Sequence, residues 1–303
     1  MSVSCIVCNS DKWIERKEHP KAWRTTNEIF SLHQCATCGL IKTHPLVSKE
    51  QIGLYYNFAQ YDSHKNSGAK SLFDYVYKLI QKVNHRSKWN AIKSALKQSF
   101  DRSSDKVSIL DYGCGNGAFL QFVSEKFQRV RGVEFAPEMI AYCNAKGIEV
   151  LSESEFYSTI DCYEVITLFH VFEHLYEPER YLKHFNKHLK KNGILLIAVP
   201  NPESYDAKYY SSDWAAWDVP IHVYHFKEQT LIRLVEKYGF KFRQKKPMLF
   251  DAFYVSILSE KNKKTKLGII RGALFGLLSN ILALFTGQYS SKMYIFEKIT
   301  EIE

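Results

Sequence analysis

The chain has 303 residues and a formal charge of +9, and it is 46% apolar and 15% aromatic. Such an apolar share excludes wholesale disorder, and the length suits one sizeable domain with a small appendage or two. The cations are spread through residues 71–100 and Lys237–Lys246 rather than gathered in one run, which argues against a nucleic-acid face.

In chain order, the first signal is a pair of knuckles, Cys5-x-x-Cys8 and Cys35-x-x-Cys38, the second followed by Gly39. Four thiolates at this spacing can close a tetrahedral Zn²⁺ site, and a sphere filled by four sulfurs makes the metal structural. Disulfides or unrelated core cysteines are the alternatives. With no secretory signal ahead of the knuckles, the chain is expected in the reducing cytoplasm, where thiols stay free. Cys114, Cys143 and Cys162 read as small buried residues.

Residues 46–104 read as helical. Phe73, Tyr77, Ile80, Val83, Ile92 and Leu96 recur at near-helical spacing over 71–100, and Asp101–Lys106 reads as a linker. At 107–120 an apolar run ends in Asp111, passes Gly113, Gly115 and Gly117, and opens into a helix near Ala118. This strand–loop–helix unit belongs to nucleotide-binding α/β domains. Gly113, Gly115 and Ala118, with Glu134 downstream, also satisfy a dinucleotide fingerprint. Asp111 separates the two readings: its carboxylate would repel a pyrophosphate and suits the ammonium of S-adenosylmethionine.

Further on, a buried strand enters the polar turn His170-Val-Phe-Glu173-His174, then a helix at Glu179–Leu189 and a turn at Lys191-Asn192-Gly193. A strand at Ile194–Val199 is followed by an aromatic segment at 203–226, whose rings suit a sugar pocket or a core. A helix at Lys227–Tyr238 stops at Gly239, and Lys292–Ile299 reads as the last strand. Between them lies apolar Leu267–Thr286, behind Lys261, Lys263, Lys264 and Lys266. A returning last strand argues against a membrane span, leaving a buried or dimerising helix or an interfacial one.

Leu110-Asp-Tyr-Gly-Cys-Gly-Asn-Gly117 resembles motif I of the class I S-adenosylmethionine-dependent methyltransferases, and Glu134 resembles their acid ending strand two. His170-Val-Phe-Glu-His174 resembles the HVxEH signature of one large subfamily, and the likeness covers about 105–245. With the ribbon, the layout is similar to bacterial sugar and polysaccharide-pathway methyltransferases, although the large C-terminal domain of the sugar C-methyltransferases is not recognisable.

The resemblance implies a Rossmann-like, doubly wound, seven-stranded α/β sheet over 105–303, preceded by a zinc ribbon (1–45) and a helical cap (46–104). Residues 203–226 would be an active-site loop and 248–290 an insertion before the last strand. It implies that Asp111, Gly113, Gly115 and Gly117 cradle the methionine end of S-adenosylmethionine. Glu134 would bind the ribose, Phe135 the adenine, and Phe169 and His170 would border the methyl group.

Candidate bases are His170, His222, Tyr224 and His225. The expected acceptor is a small molecule or a glycan, nucleotide- and lipid-linked sugars among them. Expected associations are a homodimer or peripheral contact of 261–286 with the inner face of the membrane. An RNA methyltransferase using the ribbon is the alternative, although Phe169-His-Val-Phe172 stands where amino-methylating enzymes carry Asp/Asn-Pro-Pro-aromatic. A non-catalytic zinc scaffold is a further alternative, although Asp111, the glycines and Glu134 are all present.

Overall fold

The computed structural model describes residues 4–56, 72–99 and 107–302. Residues 57–71 of the stretch read as helical and the linker at 101–106 lie outside the described residues. The chain divides into two compact units. One comprises Met1–Asn84, Pro200–Leu231 and Pro247–Lys292; the other comprises His85–Val199, Ile232–Lys246 and Met293–Glu303.

The second unit is organised on the seven-stranded sheet. Its strands are β4 (Ser108–Tyr112), β5 (Arg129–Val133), β6 (Val150–Leu151), β7 (Tyr163–Phe169), β8 (Leu189–Pro200), β10 (Phe240–Pro247) and β11 (Ser291–Lys298). The order is β10-β11-β8-β7-β4-β5-β6, and β4 pairs parallel with both β5 and β7. Central position explains the sequence pattern: β7 and the 194–199 part of β8 are buried apolar runs because both faces are covered.

β8 starts earlier than the Lys191-Asn192-Gly193 turn suggests. Tyr163 pairs with Leu189 but Val165 with Ile194, so that turn becomes a bulge within one strand, with Asn192 at φ 61°. Helix α1 (Leu72–Ser99) buries Ile92 and Leu96, while α2 (Ala118–Val123) follows the glycine loop. Helix α3 spans Pro137–Ala145 and α4 spans Glu153–Ser158, the latter opened by a Ser152/Glu155 capping box. Helix α5 (Pro178–His188) turns Leu182 and Phe185 inward. The helix expected at Lys227–Tyr238 ends earlier, at Glu236, and Gly239 (φ 79°) closes the turn that leads into β10.

The first unit carries a four-stranded sheet, β1 (Trp13–Glu15), β2 (Ser31–Cys35), β3 (Ile41–His44) and β9 (Tyr224–His225), in that order. Helices α6 (Tyr205–Tyr210), α8 (Leu249–Asn262) and α9 (Gly268–Thr286) belong to it; α7 (Glu228–Glu236) lies across the boundary in sequence. Tyr210, Trp214 and Trp217 sit in its core with Phe30, Leu32 and Ile41, so these rings of the 203–226 segment are packing groups. Asp206 is fully buried, accepting from Trp214 Nε1, Ser279 Oγ and Ser290 Oγ at 2.7–2.8 Å. A buried carboxylate with three donors ties three separate stretches of chain together.

Candidate active site

The site is assembled where β4, β5 and β7 end. Asp111 lies on β4 opposite Thr167 of β7, and Thr167 Oγ1 donates to Asp111 Oδ1 at 2.6 Å. Burial pushes this carboxyl up to about 6 from its ordinary 3.8. Lys88 on α1 and the Thr167 hydroxyl pull it back, and Glu134 adds to the rise.

The loop that follows is held by backbone bonds: Gly113 and Cys114 both donate to the Val133 carbonyl, at 2.8 and 3.0 Å. Gly113 has φ 75°, and a Cβ there would lie 2.4 Å from Val171 Cγ2. Gly115, at φ 55°, has nothing within 4 Å of where its Cβ would be. One glycine is needed by the protein's own packing; the other leaves an open cradle.

Glu134 closes the far side. Its Oε2 accepts from the Gly115 N–H at 2.7 Å, and Oε1 from the N–H groups of Phe135 (2.8 Å) and Ala136 (3.3 Å). Three backbone donors fix the carboxylate and leave about one of its four lone pairs, on Oε2, for a further donor. Phe135 is half exposed and edge-on to Tyr112.

Phe169 ends β7, edge-on to Phe119, with Lys88 Nζ 3.8 Å above its ring. His170 follows in the left-handed region (φ 58°), its N–H bonded to the Ala198 carbonyl at 3.0 Å. Its Nδ1 lies 3.4 Å from Glu173 Oε1; the His170 side chain is 34% exposed and that of Glu173 only 1%. A partly exposed imidazole held by a buried carboxylate can act as a base through its other nitrogen.

The remaining histidine candidates lie in the first unit. His222 Nδ1 pairs with the Ala216 carbonyl (2.9 Å), and His225 Nε2 with Thr43 Oγ1 (3.1 Å). Burial holds the His225 pKa well below its ordinary value. Tyr224 and His225 form β9 opposite Lys42 and Ile41, so this short segment braces β3. Two groups escape the sequence reading. Thr167 could have been noticed as the one aliphatic hydroxyl in the largely apolar β7; Lys88 had no signal among the many lysines of its helix.

The four knuckle cysteines lie in the first unit, with all sulfurs within 4.8 Å of one another. Cys5–Cys38 and Cys8–Cys35 are each 3.5 Å apart, too far for a disulfide and near the roughly 3.8 Å edge of a tetrahedral zinc–sulfur site. The knuckles repeat one turn: Asn9 N–H bonds Cys5 O and Gly39 N–H bonds Cys35 O, with Asn9 and Gly39 at positive φ. Burial pushes the Cys5 and Cys38 thiols up; at Cys35 burial is outweighed by the Cys38 and Thr37 N–H groups together with the neighbouring Cys8 and Cys38 thiols, which bring it down to about 7.

A glycine cradle between two carboxylates on a parallel sheet defines a nucleotide-type site suited to a cationic ligand. The methyltransferase-domain family model matches residues 82–245, more than half the chain, and the chain belongs to that family. The family and the site together support S-adenosylmethionine as the cofactor.

Among curated relatives, (S)-coclaurine N-methyltransferase of Thalictrum flavum subsp. glaucum is 31% identical over 31% of this chain and 28% of its own length. Malonyl-[acyl-carrier protein] O-methyltransferase of Bacillus cereus is 26% identical over 48% of this chain and 54% of its own. The chain therefore spans about a quarter to a half of these two relatives. Magnesium protoporphyrin IX methyltransferase of Synechocystis PCC 6803, solved with bound S-adenosylhomocysteine, matches with TM-score 0.52 at 12% identity. That match covers 83% of this chain and all of the other, and shows the shared fold.

Proposed function

We propose that the protein transfers a methyl group from S-adenosylmethionine to a small-molecule or glycan acceptor, nucleotide- and lipid-linked sugars among the candidates. The observation that carries the cofactor half is Glu134 on the Gly115 N–H beside open space at Gly115, with the buried Asp111 carboxyl at the end of β4 within its electrostatic reach. The acceptor half rests on the resemblance of the ribbon-plus-HVxEH layout to polysaccharide-pathway enzymes.

When bound, the cofactor supplies an activated methyl group for in-line displacement. Asp111 would balance an ammonium, and Glu134 would receive a ribose hydroxyl on the lone pair left on Oε2. Phe135 offers a half-exposed ring for the adenine. His170 takes the acceptor's proton while Glu173 holds its Nδ1 side. We favour His170 over His222, Tyr224 and His225 because it follows directly on β7, at the end of the sheet that carries Asp111.

The four cysteines fit Zn²⁺: four thiols, a compact set of sulfurs, and two knuckles built on the same N–H turn. In this reading the metal holds the first unit's small sheet and takes no part in methyl transfer.

Calorimetric titration with S-adenosylhomocysteine and with NAD, alongside zinc content, tests the cofactor and metal. Micromolar binding of the former, lost in Asp111→Ala and Glu134→Ala, is expected; binding of NAD instead sinks the reading. Labelled methyl transfer to nucleotide-sugars, lipid-linked glycans and RNA then separates acceptors. His170→Ala should lower kcat by about 10²–10⁴-fold with binding intact.

A further inference from the structure

The surface of α9 stands apart from the methyl-transfer site. Every polar side chain of this 19-residue helix has a partner inside the protein. Arg271 Nε pairs with Glu260 (3.2 Å), Ser279 Oγ with Asp206 (2.7 Å) and Asn280 Nδ2 with the Leu249 carbonyl (2.8 Å); Thr286 Oγ1 bonds the Leu282 carbonyl (3.1 Å). Gly272 and Gly276 sit against the backbone of α8, where a Cβ would come within 2.5–2.8 Å of Ile257 and Phe253. The small residues are thus consumed by the α8–α9 hairpin, and the bulky ones are turned away from it.

What remains outward is a stripe at three- and four-residue spacing: Ile270, Leu274, Leu277, Ile281, Leu284 and Phe285. Leu274 is 62% exposed, Leu284 70% and Phe285 85%. By length and composition this helix could cross a membrane. Yet its small-residue face is packed on α8, and four residues after its end β11 enters the seven-stranded sheet. That placement suits a helix lying in an interface rather than spanning it.

Charge decides what it lies on. Lys261, Lys263, Lys264 and Lys266 are exposed at the head of the stripe, and no acidic residue occurs between Glu260 and Glu297. A second copy would have to match this face with another equally acid-free and lysine-flanked. An anionic phospholipid surface offers hydrocarbon for the stripe and phosphates for the lysines.

We propose that the α8–α9 hairpin docks the protein on an anionic lipid bilayer, with the 270–285 stripe in the headgroup–acyl boundary and Lys261–Lys266 on the phosphates.

The test is flotation of the full chain with vesicles of phosphatidylcholine plus phosphatidylglycerol, against phosphatidylcholine alone, with oligomeric state measured by sedimentation. The wild type should float with the anionic vesicles. The exposed triple change Leu274→Ser, Leu284→Ser, Phe285→Ser should abolish flotation without altering S-adenosylhomocysteine binding. Lys→Gln changes at 261, 263, 264 and 266 should each weaken anionic-vesicle binding about fivefold, leaving the fold untouched. Absence of wild-type flotation, or flotation undiminished in the triple variant, overturns the proposal. So does a lipid-indifferent dimer that the triple variant dissociates, which assigns the stripe to a second copy.

Discussion

The two units of this chain solve the problem of folding differently. The sheet unit is held by long buried strands whose neighbours are set by continuous apolar runs, as in β7 and β8. The ribbon unit is gathered from separated stretches of sequence around its own aromatic core and is further pinned at points: the buried Asp206 with its three donors, Thr43 between His222 and His225 and, with the proposed metal, the four sulfurs. A distributed core degrades gradually when one contact is lost, whereas a pinned assembly concentrates its stability in few groups.

The strongest way to break that contrast is to remove a pin. Cys35→Ser, or a high-affinity chelator, should abolish stoichiometric zinc and destabilise the ribbon unit by several kcal/mol, about half or more of a zinc site's folding energy. Metal analysis and thermal melts report both. A protein that purifies without zinc and melts unchanged after chelation would remove metal from the account.

A smaller effect is expected from the glycine loop, and it sharpens the comparison within the sheet unit itself. Gly113→Ala should cost about 3 kcal/mol, because it combines a positive φ with a Cβ driven into Val171. Gly115→Ala meets no protein atom, so only the left-handed conformation, about 1 kcal/mol, should appear in the melt. Its main consequence should be weakened S-adenosylhomocysteine binding, read by calorimetry. Equal melting losses for the two variants would mean that the loop is not divided between packing and ligand.

These differences in construction explain what the sequence made legible. The strand–glycine–helix unit, Asp111 and Glu134 could be read directly, since each depends on local spacing and on a charge near a turn. The last strand could be read too, although it begins one residue earlier, at Ser291. Lys88 could not, because its meeting with Phe169 and Asp111 depends on how a helix lies across the sheet. Nor could the bracing by β9: two residues paired with β3 across about 180 positions carry no periodicity. The tryptophans of 214–217 suited a sugar pocket or a core equally well, and only packing placed them in the core.

With the function proposed here, Asp111 sets stability against ligand binding inside the sheet unit. Its folded pKa, about 6, lies above the ordinary 3.8, so the unfolded chain gives up this proton more readily. The stabilising contribution of the protonated form is therefore complete below about pH 3.8 and lost as pH rises through about 6. At neutral pH the buried charge costs the empty protein up to about 3 kcal/mol. Asp111→Asn removes the charge and keeps an acceptor for Thr167, so the ligand-free variant should be about 2 kcal/mol more stable at pH 7.5 and little different at pH 4. The same variant should lose S-adenosylhomocysteine, whose ammonium compensates the wild-type carboxylate. In the wild type, affinity should fall up to tenfold per pH unit below about 6, as the ligand competes with a proton. A variant that is less stable at neutral pH, or wild-type affinity that is flat from pH 7.5 to 5, would show that Asp111 is kept for the fold rather than for a cation.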